Sequence, residues 1–360
     1  MNDKVAIITP SFNRGYIIGE TAESVFAQSH ENWEWIIVDD GSTDDSWDLI
    51  QSYARRDSRV KAIQRDRGPK GACTCRNIAI AHTDADWLIF LDTDDILHSE
   101  CLKQRLSSAK GSEESEVLFF PTLVFETNTD HCWLWDDPHH PTEWLEGVLT
   151  MRPPAPGSGT IWPSKLWDLQ GGWREDLTVW QDIELHSRAH WNGVQFNPAQ
   201  GAFPDFFIRS SPDSLSRVGF HSKEKLESRM IIIEECWKSI KQHASNPSER
   251  QAMATMTLNA IKNGGNLGLF SEMTSWLQLP QLDLTSQELS LARLMLTSRR
   301  WKLDRIPLVK KYIQRKWNAT CPESPRKLGA YPWPHQVARR RPPSRLPSPL
   351  SMGWTACALP

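Results

Sequence analysis

Residues 87–95 read Trp-Leu-Ile-Phe-Leu-Asp-Thr-Asp-Asp. An unbroken apolar run of this length predicts a strand buried on both faces, and the three carboxylates that follow mark where it ends. Two earlier stretches have the same form. Val5 to Thr9 is a β-branched run that gives way to the polar segment Pro10–Arg14. Trp35 to Val38 is closed by Asp39-Asp40-Gly41-Ser42. Helical spacing separates these runs: Ile17, Thr21, Ser24, Val25 and Gln28 within 16–28, then 44–55, then 72–82. Weaker strands are predicted at Val60–Ile63 and Val117–Phe120. Strands alternating with helices predict βαβ units, hence an α/β fold with a Rossmann-like, mostly parallel sheet flanked by helices. Ligands of such sheets bind outside the carboxyl ends of the strands, where all three polar clusters fall.

Three carboxylates within four residues repel one another at neutral pH. A divalent cation with oxygen ligands offsets that repulsion; so does full solvation of a loop capping the helix that starts near Ser99. Asp39-Asp40-Gly41-Ser42 allows two readings as well. Its carboxylates suit a base N–H or a ribose hydroxyl, and its composition suits a turn leading into a helix capped by Asp44.

Downstream, 127–160 is rich in Trp, His and Pro and reads as irregular apart from a short helix near 143–150. A helix is predicted over 182–192 and a strand over 204–208. Leu226, Met230, Ile233, Trp237 and Ile240 form one face of an amphipathic helix, and helical pattern continues to about residue 318. Nine prolines stand in 321–360, which predicts a disordered tail. The expected organisation is a catalytic domain over 1–220, a helical extension over 221–320 and the tail over 321–360.

The 360 residues carry a net charge of −3, which gives no reason to expect nucleic acid as a partner. The charge is uneven: 321–360 holds six Lys and Arg against Glu323, +5, leaving −8 for the rest. Such a tail suits peripheral contact with anionic lipid. Seven scattered cysteines argue against a disulfide framework, and Cys73 and Cys75 lack a second pair at zinc spacing. The amino-terminal run is too short for a signal peptide, and no run of 18 apolar residues occurs. The expectation is a cytoplasmic protein, at the inner face of the membrane where the tail meets lipid.

Four stretches carry a family resemblance: ITPSFNR (8–14), WEWIIVDDGSTDDS (33–46), GACTCRNIAIAHTDADWLIFLDTDDIL (71–97) and GGWREDLTVWQDIELHSRAHWNG (171–193). In this order the chain, over roughly 3–215, resembles the family 2 glycosyltransferases of GT-A fold. The resemblance implies an inverting enzyme that takes a sugar from a nucleoside-diphosphate donor to a saccharide, lipid-linked or protein acceptor, assisted by Mn2+ or Mg2+. Pro10, Phe12 and Arg14 would line the nucleotide pocket, with Phe12 against the base. Asp40 would contact the base and Asp39 support that loop. Arg76 and Asn77 would face the donor, Asp92 its ribose and sugar. Asp94 would be the principal metal ligand, with Asp95 beside it, and Asp182 the general base that takes the acceptor's proton. The bare sequence reading of Asp182 is a helix N-cap, and Glu184 is the nearest substitute base.

Two positions depart from the family pattern. Gln181 stands where Glu is common, and Ser211 in IRSSPDSLSR stands where a His is often found. They favour an alternative, a non-catalytic sugar-nucleotide or glycan-binding protein on the same scaffold. A third reading is a scaffold protein acting through 222–318. A dehydrogenase is disfavoured, because TPSFNR replaces the G-x-G-x-x-G that would follow the first strand. The 18 tryptophans, many within 130–180, suit either sugar stacking or core packing, and His131, His139 and His140 suit either metal binding or solvated loops.

Overall fold

The computed structural model describes residues 3–110, 115–126, 132–136, 143–150, 153–210, 221–243 and 246–321. Its first half runs β1 (Val5–Ser11), α1 (Ile18–Phe26), β2 (Trp33–Asp39), α2 (Ser46–Arg56), β3 (Val60–Gln64), α3 (Ala72–Ile80), β4 (Trp87–Phe90), β5 (Ile96–Leu97), α4 (Cys101–Ala109), β6 (Glu116–Phe119), β7 (Thr122–Glu126), β8 (Cys132–Leu134) and α5 (Trp144–Leu149). Then follow β9 (Thr160–Pro163), α6 (Ser164–Asp168), α7 (Gln181–Trp191), β10 (Gln195–Pro198), β11 (Phe206–Ser210), α8 (Lys223–Gln242), α9 (Pro247–Asn266), α10 (Phe270–Trp276), α11 (Ser286–Arg300) and α12 (Pro307–Thr320).

The main sheet has the order β10-β6-β9-β4-β1-β2-β3. β4, β1, β2 and β3 are mutually parallel, and β9 runs antiparallel between β4 and β6. The period-2 alternation of strand side chains divides each run between two cores. Ala6, Ile8, Ile36, Val38, Leu88 and Phe90 join one apolar cluster. Val5, Ile7, Trp35, Ile37, Trp87 and Ile89 join the other, under α1 and α4. This is the expected mostly parallel sheet flanked by helices, GT-A-like, with a helical carboxyl-terminal extension of α8–α12.

The extension does not keep a core to itself. Leu226, Ile233, Trp237, Leu258 and Leu291 belong to the same cluster as Ile8 and Phe90. α9 and α11 each open with a capping box, Asn246 with Glu249 and Thr285 with Glu288, in which side chain and backbone satisfy each other's orphan donors.

Several expectations need correction. Within 127–160 the chain forms β8 as well as α5, and β9 begins at Thr160. β8 belongs to a second sheet, of order β5-β11-β7-β8, that the sequence did not suggest. Its strands are short, and β11 pairs across long separations, as in Phe207 with Ile96 and Leu123, while β7 and β8 pair locally, so no long periodic run announces them. The strand expected at 204–208 lies at Phe206–Ser210, because Asp205 is held back in a fully buried ion pair with Arg105 at 2.8 Å. Cys321 is buried, and 322–360, most of the expected tail, lie outside the described residues, as do Ser211, His131, His139 and His140.

Candidate active site

Because β1, β2 and β4 run the same way, the segments that follow them meet on one edge of the sheet. The first two are stitched together. The Asn13 N–H donates to Ser42 Oγ at 2.9 Å and the Arg14 N–H to Ser46 Oγ at 2.7 Å, while Asn13 Oδ1 accepts from the Thr43 N–H at 2.8 Å. Asn13 adopts φ 51°, a left-handed conformation that Asn tolerates better than most residues. Asp39 is fully buried, and its Oδ2 accepts from the N–H groups of Gly41 (3.1 Å) and Ser42 (2.9 Å) while Oδ1 accepts from the Ser42 hydroxyl. Its charge is spent on shaping the turn.

Asp40, also buried, accepts from Arg65 Nε at 2.5 Å and from the Gly71 N–H at 3.3 Å. The Lys70 ammonium lies 3.4 Å from the centroid of the Phe12 ring. Phe12, Asp40, Arg65 and Lys70 therefore assemble an aromatic face beside hydrogen-bonding charges, the chemistry a nucleobase needs. Arg65 and Lys70 had no motif to mark them in the sequence.

The acidic segment after β4 is held from two sides. Thr21 Oγ1 on α1 donates to the carbonyls of Thr93 (2.9 Å) and Asp95 (2.8 Å). Arg209 on β11 donates its N–H to Asp95 Oδ1 (3.0 Å) and its Nε to the Asp94 carbonyl (3.1 Å), and pairs with Glu20. Asp95 is buried, and burial, with Asp94 and Asp92 adding, pushes its carboxyl well above the usual range. Burial and then Asp92 raise Asp94, against the opposing charge of Arg14. Asp92 remains 44% exposed and accepts from Arg76 Nη2 at 2.7 Å. No local pattern marks Arg209, because its partners are 114 and 115 residues away.

Among the described residues, no three acidic, His or Cys side chains converge as a complete metal cage. Asp94 and Asp92 nevertheless offer hard oxygen donors whose repulsion a divalent cation would relieve, with ligand oxygens left to fill the shell. Cys73 and Cys75 are buried thiols pushed up to about 12 by burial, inert toward metal.

The second half of the site hangs on α3. Asn77 Nδ2 donates to the Trp173 carbonyl and to Glu175 Oε1, both at 2.8 Å, and Asn77 Oδ1 accepts the Trp173 N–H at 2.9 Å. Gly171 (φ 72°) and Gly172 (φ 81°) supply the left-handed backbone that turns the chain onto that clamp. Trp173 is buried, with the Arg76 guanidinium 4.8 Å from its ring centroid. The following residues lead through Trp180, in left-handed conformation (φ 60°), into α7.

Asp182 therefore lies inside α7 rather than at its N-cap, which is Trp180. Its Oδ1 accepts from the Ile183 N–H at 3.0 Å. Burial raises its carboxyl above the ordinary aspartate value; backbone N–H groups and Arg76 oppose the rise, and Asp92 adds to it. Asp182 thus lies within the electrostatic reach of Arg76 and Asp92, which are themselves joined at 2.7 Å. Gly157 flanks this point, since a Cβ there would lie 3.5 Å from Asp182 Cβ and 3.7 Å from His186 Cε1. His186 is buried among Trp144, Trp162 and Phe196, and burial lowers its imidazole to about 3.

Glu184 is buried and paired with Arg188 at 2.6 Å, which removes it as a substitute base. Gln181 Nε2 donates to the Leu177 carbonyl at 2.9 Å, a bond the carboxylate of Glu could not make. Of the tryptophans considered for sugar stacking, Trp144, Trp162, Trp167 and Trp173 are core residues; Trp135 donates Nε1 to the Pro153 carbonyl at 2.7 Å, and Trp180 is half-buried.

Comparison with known proteins agrees with this fold. TuaG of Bacillus subtilis, named for teichuronic acid biosynthesis as a glycosyltransferase, is 39% identical over 102 residues, 28% of this chain and 40% of TuaG. WfaP of Escherichia coli, a UDP-Glc:alpha-D-GlcNAc-diphosphoundecaprenol beta-1,3-glucosyltransferase, is 36% identical over 116 residues, 32% of this chain and 43% of WfaP. The chain thus spans about two fifths of the length of these relatives. Staphylococcus aureus TarS 1-349, crystallised with UDP-GlcNAc, shares the fold across 88% of this chain and 91% of its own, with TM-score 0.62 at 17% identity. The Glycosyl transferase family 2 description matches from Ala6 to Leu145. Over residues 6–145, this chain is similar to the glycosyl transferase family 2 domain.

Proposed function

We propose that the protein is an inverting glycosyltransferase that moves a sugar from a nucleoside-diphosphate sugar to a hydroxyl acceptor, with Asp182 as general base and Mn2+ or Mg2+ as cofactor. The observation that supports this reading is the Arg76–Asp92 pair after parallel strand β4, whose charges reach the buried carboxyl of Asp182. Phe12 and Asp40 receive the base; Pro10 and Arg14 line the same pocket, and Asp39 holds its floor. Asp92 and Arg76 address the ribose and sugar. Asp94 would hold the cation, which would supply Lewis acidity for departure of the diphosphate. Asp182 accepts the proton of the acceptor hydroxyl as that oxygen bonds to the anomeric carbon and the nucleoside diphosphate departs. A carboxyl raised by burial is a stronger base once ionised, which suits that task. One base and one displacement give inversion; retention through a covalent intermediate would need a nucleophile as well.

The relatives' names include teichuronic acid biosynthesis and glucose transfer to a lipid diphosphate-linked sugar. On that pattern the acceptor is a saccharide, lipid-linked or protein-borne hydroxyl, and the setting polysaccharide biosynthesis in the cytoplasm, at the inner membrane face. The domain division proposed is a catalytic unit over 1–220, a helical extension over 221–320 and a tail over 321–360. Gln181, bonded to a backbone carbonyl, leaves one carboxylate where the family pattern has two, which favours the second reading, a non-catalytic binder. Purified protein with Mn2+ and a panel of nucleotide sugars separates the two: slow release of nucleoside diphosphate from one donor, lost in Asp182→Asn, supports the enzyme. Donor binding with no release in the presence of acceptor extracts supports the binder.

A further inference from the structure

The outer face of the helical extension has a composition the sugar-transfer reading does not use. Trp301 is 67% exposed, Leu308 80% and Tyr312 52%, with Leu303 and Ile306 also exposed. Val309, Ile313 and Trp317 form the less exposed side of α12, and the last two pack on the core. On a 3.6-residue helix, Leu308, Lys311, Tyr312 and Arg315 at i, i+3, i+4 and i+7 then share the opposite, outward side. Between Arg299 and Lys316 stand eight Lys and Arg residues and one acid, Asp304, in a chain whose net charge is −3. Asp304 is taken by Arg299 at 2.7 Å, and among the described residues Lys310, Lys311 and Arg315 have no ion-pair partner.

Apolar side chains left in water at this density mark an interaction surface, and the cations around them select its partner. Residues 322–360 are themselves basic, with six Lys and Arg against Glu323, so like charge opposes their lying over this face. A second copy presenting the same face is opposed for the same reason. A phosphate backbone alone would leave Leu308, Ile306 and Leu303 without a gain. An anionic lipid surface satisfies both parts, since acyl chains accept the apolar groups while headgroups neutralise the cations. No described helix is long and apolar enough to cross a membrane, so the contact is peripheral. We infer that the Trp301–Lys316 segment, with the outward side of α12 at its centre, docks this protein on an anionic membrane surface. This goes beyond the proposed sugar transfer and is read without turnover.

The test is co-sedimentation of the full chain with phosphatidylcholine vesicles and with vesicles in which about a third of the lipid is phosphatidylglycerol. Binding to the anionic vesicles is expected to exceed binding to neutral ones by at least about tenfold. Leu308→Asp/Tyr312→Asp and, separately, Lys311→Glu/Arg315→Glu should each return it to the neutral level. All four residues lie on the solvent side, and an unchanged melting temperature verifies the fold. Arg339→Glu/Arg340→Glu/Arg341→Glu, which discharges part of the tail, should leave most of the anionic binding in place. Equal binding to both vesicle types, loss only in the tail variant, or binding to single-stranded RNA but not to vesicles would each overturn the assignment.

Discussion

Arg76 Nη2 donates to Asp92 Oδ1 at 2.7 Å, joining α3 to the segment after β4. The pair is asymmetric. Asp92 keeps nearly half its surface in water, whereas Arg76 is packed over Trp173 and its Nε has no hydrogen-bond partner among the described residues. The Arg76 side chain is 12% exposed, and its guanidinium keeps donor capacity beyond the bond to Asp92.

Arg76→Ala should therefore weaken binding of the productive nucleotide sugar by roughly 10- to 100-fold, the range for losing charge-assisted hydrogen bonds. Arg76→Lys should recover only part of that, because an ammonium cannot bridge two acceptors as a planar fork does. Isothermal titration with the donor checks both; unchanged affinity in Arg76→Ala would remove it from the site.

Asp182→Asn should lower transfer by at least about 100-fold with little change in donor affinity. It should also stabilise the fold at neutral pH. The folded pKa of Asp182 is raised by burial, so the ionised carboxylate at neutral pH costs stability that the amide does not. As pH falls through the folded pKa the wild-type group is protonated and the difference closes. Melting temperatures of both proteins across that range read it directly, and a variant less stable than wild type at neutral pH would contradict the burial argument.

Asp94→Ala should abolish the part of donor binding that depends on Mn2+, leaving the metal-free remainder close to wild type. In the wild type, cation binding should weaken as pH drops, because burial and Asp92 hold the Asp94 carboxyl above the ordinary range and protons compete for it sooner. Chelation with EDTA should reproduce the variant. The comparison is made by thermal shift with donor, with and without metal; a Mn2+ effect that survives in Asp94→Ala places the ligand elsewhere.

Gly172→Ala should cost about 1–3 kcal/mol. Its φ of 81° is strained for alanine, and the added Cβ would lie 2.9 Å from Asn77 Oδ1, inside the clamp that carries the chain toward Asp182. A lower melting temperature accompanied by a fall in kcat larger than the change in donor affinity would show that the clamp positions the base. An unaffected kcat would confine the glycine to stability.

Much of this was legible in the chain. The runs Val5–Thr9, Trp35–Val38 and Trp87–Leu91 are buried parallel strands, and a strand that must be apolar on both faces advertises itself without help from its neighbours. The polar segments that end them had to share an edge once the strands ran parallel. What escaped notice was built from distant partners. Arg209 reads as one basic residue in an unremarkable stretch until β11 lays it against Asp94 and Asp95. Arg65 reads as a surface charge until Asp40 accepts from it. Glu184 had looked like a spare base, although the predicted helix already sets Arg188 one turn away, where the two pair.

The sequence by itself determined the parallel strands β1, β2, β3 and β4, the edge their polar segments share and the family pattern, because periodicity and turn chemistry are local and act before any tertiary contact forms. Tertiary structure decided which of those carboxylates remain free. Asp39 is held by its own turn and Asp95 by the backbone of Arg209; Asp92 pairs with Arg76, whose charge also reaches Asp182, and Asp94 lies under the charges of Arg14 and Arg209. That division turns on burial and on hydrogen bonds between segments far apart in the chain, and neither is written in the spacing of residues.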